Sequence, residues 1–183
     1  MKHLGTVPLE TQRLILRRIT IEDAEEIFNN WASDENVAKY VTWYPHENIE
    51  ATKKIINSWV EQYKSDDTYR WVITCKGSNE PIGMIDVVGI DSRETAEIGD
   101  CLSQSYWGQG IMTEAFKRVI AFLFNEVGFH KIEARHIKEN IGSGEVMKKC
   151  GLKYEGTFRD NEEVKGEWRD MCIYSLFKSE YKN

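Results

Sequence analysis

The chain has 183 residues, 41% of them hydrophobic and 30% charged, and a net charge of −6. That length suits one domain with its own core and is short for two, and the composition is that of an ordinary globular protein. The acidic balance argues against a nucleic-acid or anionic-membrane partner and fits better with a cationic one.

Residues 1–8 carry no apolar stretch of signal-peptide type, and the longest apolar run, 119–124, is far too short to span a bilayer. Cys75, Cys101, Cys150 and Cys172 lie far apart with no CxxC pair. Reduced thiols, a cytoplasmic location and the absence of a metal site are the expectation.

In chain order, residues 13–19 alternate as a strand. Thr20 with Asp23 marks a helix start, and that helix is expected to run to about Trp31. A second helix follows Pro45, with Ala51, Ile55, Ile56, Trp59, Val60 and Tyr63 at helical spacing. Residues 69–75 are rich in β-formers, and 76–80 read as a hairpin turn. Strands at 82–90 and 95–102 follow. Ile111, Ala115, Val119, Ile120 and Leu123 then make one apolar stripe on a helix that begins just after Gly110. A strand at 131–137, a short helix at 142–150 closed by Gly151, and strands at 152–158 and 168–177 complete the chain. The order predicts an α+β fold in a single domain, 1–183, with a mixed, partly antiparallel sheet and helices on its faces.

The strand, glycine turn and helix over 97–124 carry the chemistry. A helix N-terminus presents unpaired N–H groups and the positive end of a dipole, which favours an anion. Gly108 and Gly110 let the backbone curl close to phosphate oxygens. Neither the Walker pattern nor GxGxxG is present, since Thr113 holds the third glycine position. A tight turn without a ligand is the alternative for these residues taken alone.

The stretch Trp107-Gly108-Gln109-Gly110-Ile111-Met112-Thr113-Glu114-Ala115 resembles the coenzyme A-binding turn of the GNAT superfamily of N-acetyltransferases. It is most similar to the branch with the ribosomal-protein N-terminal acetyltransferases. The resemblance also covers 9–17, Trp43-Tyr44-Pro45-His46, Ile82-Gly83, Ala96-Glu97-Ile98-Gly99, 139–143, 147–152 and 154–156. It implies a largely antiparallel twisted sheet, splayed at an acetyl-CoA site. It further implies pyrophosphate contacts from Trp107, Gly108, Gln109, Gly110, Ile111, Met112 and Thr113. The strand with Ile98, Asp100 and Leu102 would serve the pantetheine amides like an added strand, and Asn140 would lie near the same arm. Trp43 and Tyr44 fall on the substrate-side loop. The chain departs from the pattern at Ser105, where the family has Gln or Arg, and at Asp100-Cys101, where the branch often has Tyr-Trp. Asp100 is therefore also a candidate contact for the acceptor amine.

Acyl transfer to an amine needs a neutral amine, a polarised carbonyl and a proton for the leaving thiolate. Glu97 is the candidate base, acting through water, with Asp100 second; a salt-bridge or solvent-facing role is the alternative for Glu97. Many relatives use a tyrosine as the thiolate's acid, but that position is Met147. The resemblance gives Ser143 the role instead, with helix capping as its other reading. Cys101 has no activating histidine beside it and reads as inert. The expectation is direct, metal-free transfer from acetyl-CoA to a protein N-terminus or a small amine, by a monomer or homodimer. A non-catalytic acyl-CoA-binding module on the same fold is the alternative.

Overall fold

The computed structural model describes residues 1–182. Hydrophobic stretches with strand alternation become β1 (Leu9–Glu10), β2 (Leu14–Arg17), β3 (Arg70–Cys75), β4 (Pro81–Ile90), β5 (Thr95–Leu102), β6 (Lys131–Ile137), β7 (Lys153–Val164) and β8 (Glu167–Phe177). They form one sheet in the order β1-β2-β3-β4-β5-β6-β8-β7. Every neighbouring pair is antiparallel except β5 and β6. A parallel pair needs a long crossover, and here it is made through α4 (Ile111–Phe122).

Helices cover both faces of the sheet. α4 buries Ile111, Ala115, Phe116, Val119 and Ile120 on the face that also holds Tyr69, Trp71 and Phe129. Each large side chain removed from water contributes about 1.5–3 kcal/mol before conformational entropy is counted. Trp71 is fully buried and its indole N–H donates to Val7 O at 2.7 Å, so no polar atom is stranded there. The opposite face is covered by α1 (Ala24–Ile27), the turn that follows it and α3 (Ile49–Gln62), which pack Ile27, Trp31 and Ile56 against Val72 and Met84. α5 (Ile141–Lys149) lies near α4 and β6. Among the described residues no helix is long and apolar enough to cross a membrane.

Four local departures from the sequence expectation bear on the site. The opening strand is two short pieces, β1 and β2. The helix after Thr20 begins as a 3₁₀ turn at Ile21–Asp23 and ends in a wide π turn at Phe28–Ala32, where the Ser33 hydroxyl bonds Phe28 O at 2.7 Å. A further helix, α2 (Glu35–Ala38), follows, with the Asp34 carboxylate accepting from Asn36 and Val37 N–H. β7 runs to Val164, well past the expected end at 158.

β5 and β6 pair only through Thr95, Ala96 and Glu97. Beyond Glu97 they part. β5 continues along β4 to Leu102, while β6 continues along β8 to Ile137. The stretch 98–102 therefore has one edge with unpaired backbone groups, which opens onto a wedge in the middle of the sheet.

Candidate active site

The glycine turn closes one end of that wedge. Gly108 and Gly110 both have φ of 74°, a region that costs an L-residue about 1–2 kcal/mol. Gly110 is the N-cap of α4 and no side chain caps the helix. The first-turn N–H groups of Ile111, Met112 and Thr113 lie beyond the reach of intrahelical bonding, which makes an anion cradle. The turn is braced from three sides. The Trp107 indole donates to Leu102 O at 2.8 Å, Gln109 donates to Ser105 O at 2.8 Å, and Arg13 donates to Gln109 O at 3.1 Å. Glu114 in turn holds Arg13 and accepts from the Thr11 hydroxyl at 2.6 Å. This bracing by Thr11 and Arg13 went unread in the sequence, where the segment showed only as the start of a strand.

Two cavities meet within the wedge. One, of about 670 Å³, is walled by the turn, Leu102, Thr113 and the start of α5. The other, of about 530 Å³, lies under α1 and α3 and includes Trp43, Asp86, Glu97 and Glu162. They share Tyr40, Val41, Asp100, Cys101, Asn140 and Ser143. A long ligand in the first cavity and a compact one in the second would meet at these residues. Tyr40 and Val41 were missed from sequence because α2, which carries the chain to them, was missed. The Ser33-Asp34-Glu35 start signal was there to be read.

Asp100 lines this junction, and its carboxyl makes no hydrogen bond among the described residues. Burial first, and then the nearby Asp86, push its pKa up to about 6. Asp86 is itself buried, and its Oδ2 lies 3.0 Å from Arg70 Nε; burial outweighs that partner and raises its pKa as well. Glu97 lines the second cavity, but its Oε1 accepts from Arg135 Nε at 2.6 Å. Arg135 also reaches Glu162 at 3.5 Å, so one guanidinium links carboxylates from β5 and β7 across the split. Glu162 went unread because β7 was ended too early. The signal was Lys165-Gly166, both with positive φ, which make the tight turn of a two-residue hairpin.

Ser143 is half-buried and faces both cavities. The capping reading for its hydroxyl is corrected by the structure. Asn140 is the N-cap, and its Oδ1 accepts from Ser143 N–H at 3.3 Å. The Ser143 hydroxyl is thereby left for other work. Met147, at the family's tyrosine position, is buried and 1% exposed.

Of the substrate-side pair, Trp43 lines the second cavity and packs on the π turn side with His46, 5.9 Å between ring centroids. Tyr44 does not reach it. Its ring is 65% exposed and lies under the Lys165 ammonium at 5.4 Å. His46 N–H is tied to Ala32 O and its ring to the Thr52 hydroxyl, so Trp43 and His46 turn inward and Tyr44 turns out. Cys101 is at the junction, yet burial, followed by Asp100 and Asp86, drives its thiol pKa far above the usual range. That thiol is a poor nucleophile.

A family model described as Acetyltransferase (GNAT) domain matches residues 13–153. The uncharacterized N-acetyltransferase p20 of Bacillus licheniformis is 32% identical over 174 residues, covering 94% of this chain and 97% of that protein. The ribosomal protein uS5-alanine N-acetyltransferase of Escherichia coli is 24% identical over 180 residues, covering 93% and 90%. Among solved structures, the microcin C7 self-immunity acetyltransferase MccE in complex with acetyl-CoA and AMP has the same fold. Its TM-score is 0.83 at 23% identity, covering 91% of this chain and 93% of that one.

Proposed function

We propose that this chain, which belongs to the GNAT family of N-acetyltransferases, passes the acetyl group of acetyl-CoA to the α-amine of a peptide or protein N-terminus. The observation that carries this reading is the junction of two cavities at Asp100, Cys101, Asn140 and Ser143. The turn from Trp107 to Thr113 holds the pyrophosphate through backbone N–H groups, and the free edge of β5 at Ile98, Asp100 and Leu102 receives the pantetheine amides. The acceptor enters from the side of Trp43.

Asp100 is the base in this proposal. A carboxylate with a pKa of about 6 is a fair match for an α-amine near 7.7–8.0 and a poor one for a lysine side chain near 10.4. That difference favours an α-amine over a lysine. Asp86, Glu97, Asp100 and Glu162 line the acceptor cavity; Arg70 pairs with Asp86 and Arg135 with Glu97 and Glu162, and the excess of carboxylates attracts an ammonium group. Glu97, held by Arg135, contributes to that field and orients the acceptor. Ser143 supplies the proton that the leaving sulfur takes up.

The test is thiol release from acetyl-CoA by the purified chain, with N-terminal peptides set against small amines, polyamines and Nα-blocked lysine. Release with unblocked peptides and none with their Nα-blocked forms is the expected result. Release confined to small amines would overturn the α-amine assignment and leave the transferase in place.

A further inference from the structure

The acceptor cavity is rich in carboxylates, which accept hydrogen bonds and cannot donate them when ionised. Its arginine, Arg135, is engaged by Glu97 and Glu162. His46, on the loop between α2 and α3, lines the same cavity and brings a donor of another kind.

The residue is held at three points. Its backbone N–H donates to Ala32 O at 2.8 Å, its ring centroid lies 5.9 Å from that of Trp43, and its Nδ1 is 2.7 Å from the Thr52 hydroxyl. Thr52 is 1% exposed, and its hydroxyl makes no other hydrogen bond among the described residues. A buried hydroxyl keeps its proton on an acceptor. The arrangement that meets this need has the Thr52 O–H donating to Nδ1, so the ring proton is on Nε2. Burial lowers the pKa of the imidazole, and the ring is neutral at physiological pH.

Nε2 makes no hydrogen bond among the described residues. The buried side-chain nitrogen and oxygen atoms left without a partner there are His136 Nε2 and Arg169 Nε. His46 Nε2 is not one of them and stays accessible. The wall that holds Trp43 therefore also carries a neutral N–H donor, fixed in tautomer, anchored in position and unmatched.

We propose that His46 is a specificity-determining residue that reads the carbonyl beside the acceptor's amine, its Nε2–H donating to the carbonyl oxygen of a peptide's first residue. The inference rests on the α-amine reading. In a peptide N-terminus the carbonyl is attached to the carbon that bears the amine. A polyamine has no such oxygen, and a lysine side chain has its own several carbons away. An anchored donor discriminates against an acceptor that lacks the oxygen, because the N–H is then left without a partner.

The experiment measures kcat/KM for a peptide acceptor and for the same peptide with sulfur in place of its first carbonyl oxygen, a weaker hydrogen-bond acceptor. It is run on the wild-type chain and on His46→Asn, which keeps an oxygen for the Thr52 hydroxyl and has no atom at Nε2. The wild type is expected to favour the oxygen peptide by about fivefold or more. His46→Asn is expected to treat the two peptides alike, with KM for the oxygen peptide raised about tenfold and KM for acetyl-CoA unchanged. His46→Phe, which keeps a ring beside Trp43 and has no N–H, answers in its place if His46→Asn does not fold. A wild type that does not distinguish the two peptides, or a preference that survives in the variant, would overturn the contact and leave the α-amine reading standing. Absence of turnover with every peptide would remove that reading, and the contact with it.

Discussion

Arg13 Nε lies 2.6 Å from Glu114 Oε2, tying the segment before β2 to the first turn of α4 across 101 positions of sequence. The same carboxylate accepts from Arg13 N–H and from the Thr11 hydroxyl. Burial alone would raise the Glu114 pKa; these bonds outweigh it and hold it below the ordinary carboxylate range. Replacing Glu114 by Ala removes the acceptor of three donors and frees the turn from its brace. A loss of roughly 1–3 kcal/mol is expected, seen as a fall of roughly 2–10 °C in Tm near neutral pH. Because the folded-state pKa is depressed, the contribution is present above the unfolded pKa and fades as pH falls through the folded one. The gap between variant and wild type should therefore close in acid, which thermal melts from pH 7 down to pH 3 would reveal.

Gly110→Glu brings strain and charge together. A φ of 74° disfavours the new side chain by about 1–2 kcal/mol, and its carboxylate meets a pyrophosphate at a few ångströms. Calorimetry is expected to show acetyl-CoA affinity down by at least about thirtyfold. Wild-type affinity would remove the turn as the phosphate site.

Asp100→Asn separates activity from stability. The fold raises this carboxyl to about 6, so its ionised form is disfavoured in the native state relative to the unfolded chain. Its contribution is favourable below the unfolded pKa near 3.9 and is lost as pH climbs through about 6. At pH 7.5 the variant should be the more stable by roughly 1–3 kcal/mol while turning over roughly a hundredfold more slowly. The wild-type rate should rise with pH through about 6, and Glu97→Gln should keep that limb. An acid limb that survives in Asp100→Asn and vanishes in Glu97→Gln would transfer the base role to Glu97.

Ser143→Ala is expected to lower kcat by about tenfold to a hundredfold and to leave acetyl-CoA affinity nearly unchanged. The helix itself should survive, since its cap is the Asn140 side chain. Pre-steady-state measurement under conditions where chemistry limits the rate is the check. Unaltered turnover would leave Ser143 without a chemical role.

Much of this arrangement is legible in the sequence. The apolar stripe from Ile111 to Leu123 and the paired glycines before it place α4 and its uncapped N-terminus, since periodicity and turn chemistry are local properties. The β5 strand is legible for the same reason. The acceptor side is not. Whether Tyr44 or Trp43 turns inward depends on the bond from His46 N–H to Ala32 O, a contact between distant turns. Glu97 reads as a base or as a salt-bridge partner with no cation to name, until β6 brings Arg135 beside it. Glu162 reaches the cavity only because Lys165-Gly166 extends a hairpin past the expected strand end. The raised pKa of Asp100 comes from burial and from Asp86 on the neighbouring strand, neither of which a linear pattern carries.

The split between β5 and β6 has a consequence for the life of the molecule in a cell. Among the described residues β5 and β6 pair as strands through Thr95, Ala96 and Glu97 alone; past them, on the function proposed above, the donor's amides would serve as the missing rung. Donor supply then doubles as a folding subsidy of about 2.7 kcal/mol at a concentration a hundred times Kd. Starved of acetyl-CoA, the chain should open along this seam and become an easier target for proteases, so its abundance would follow the metabolic state that feeds its chemistry.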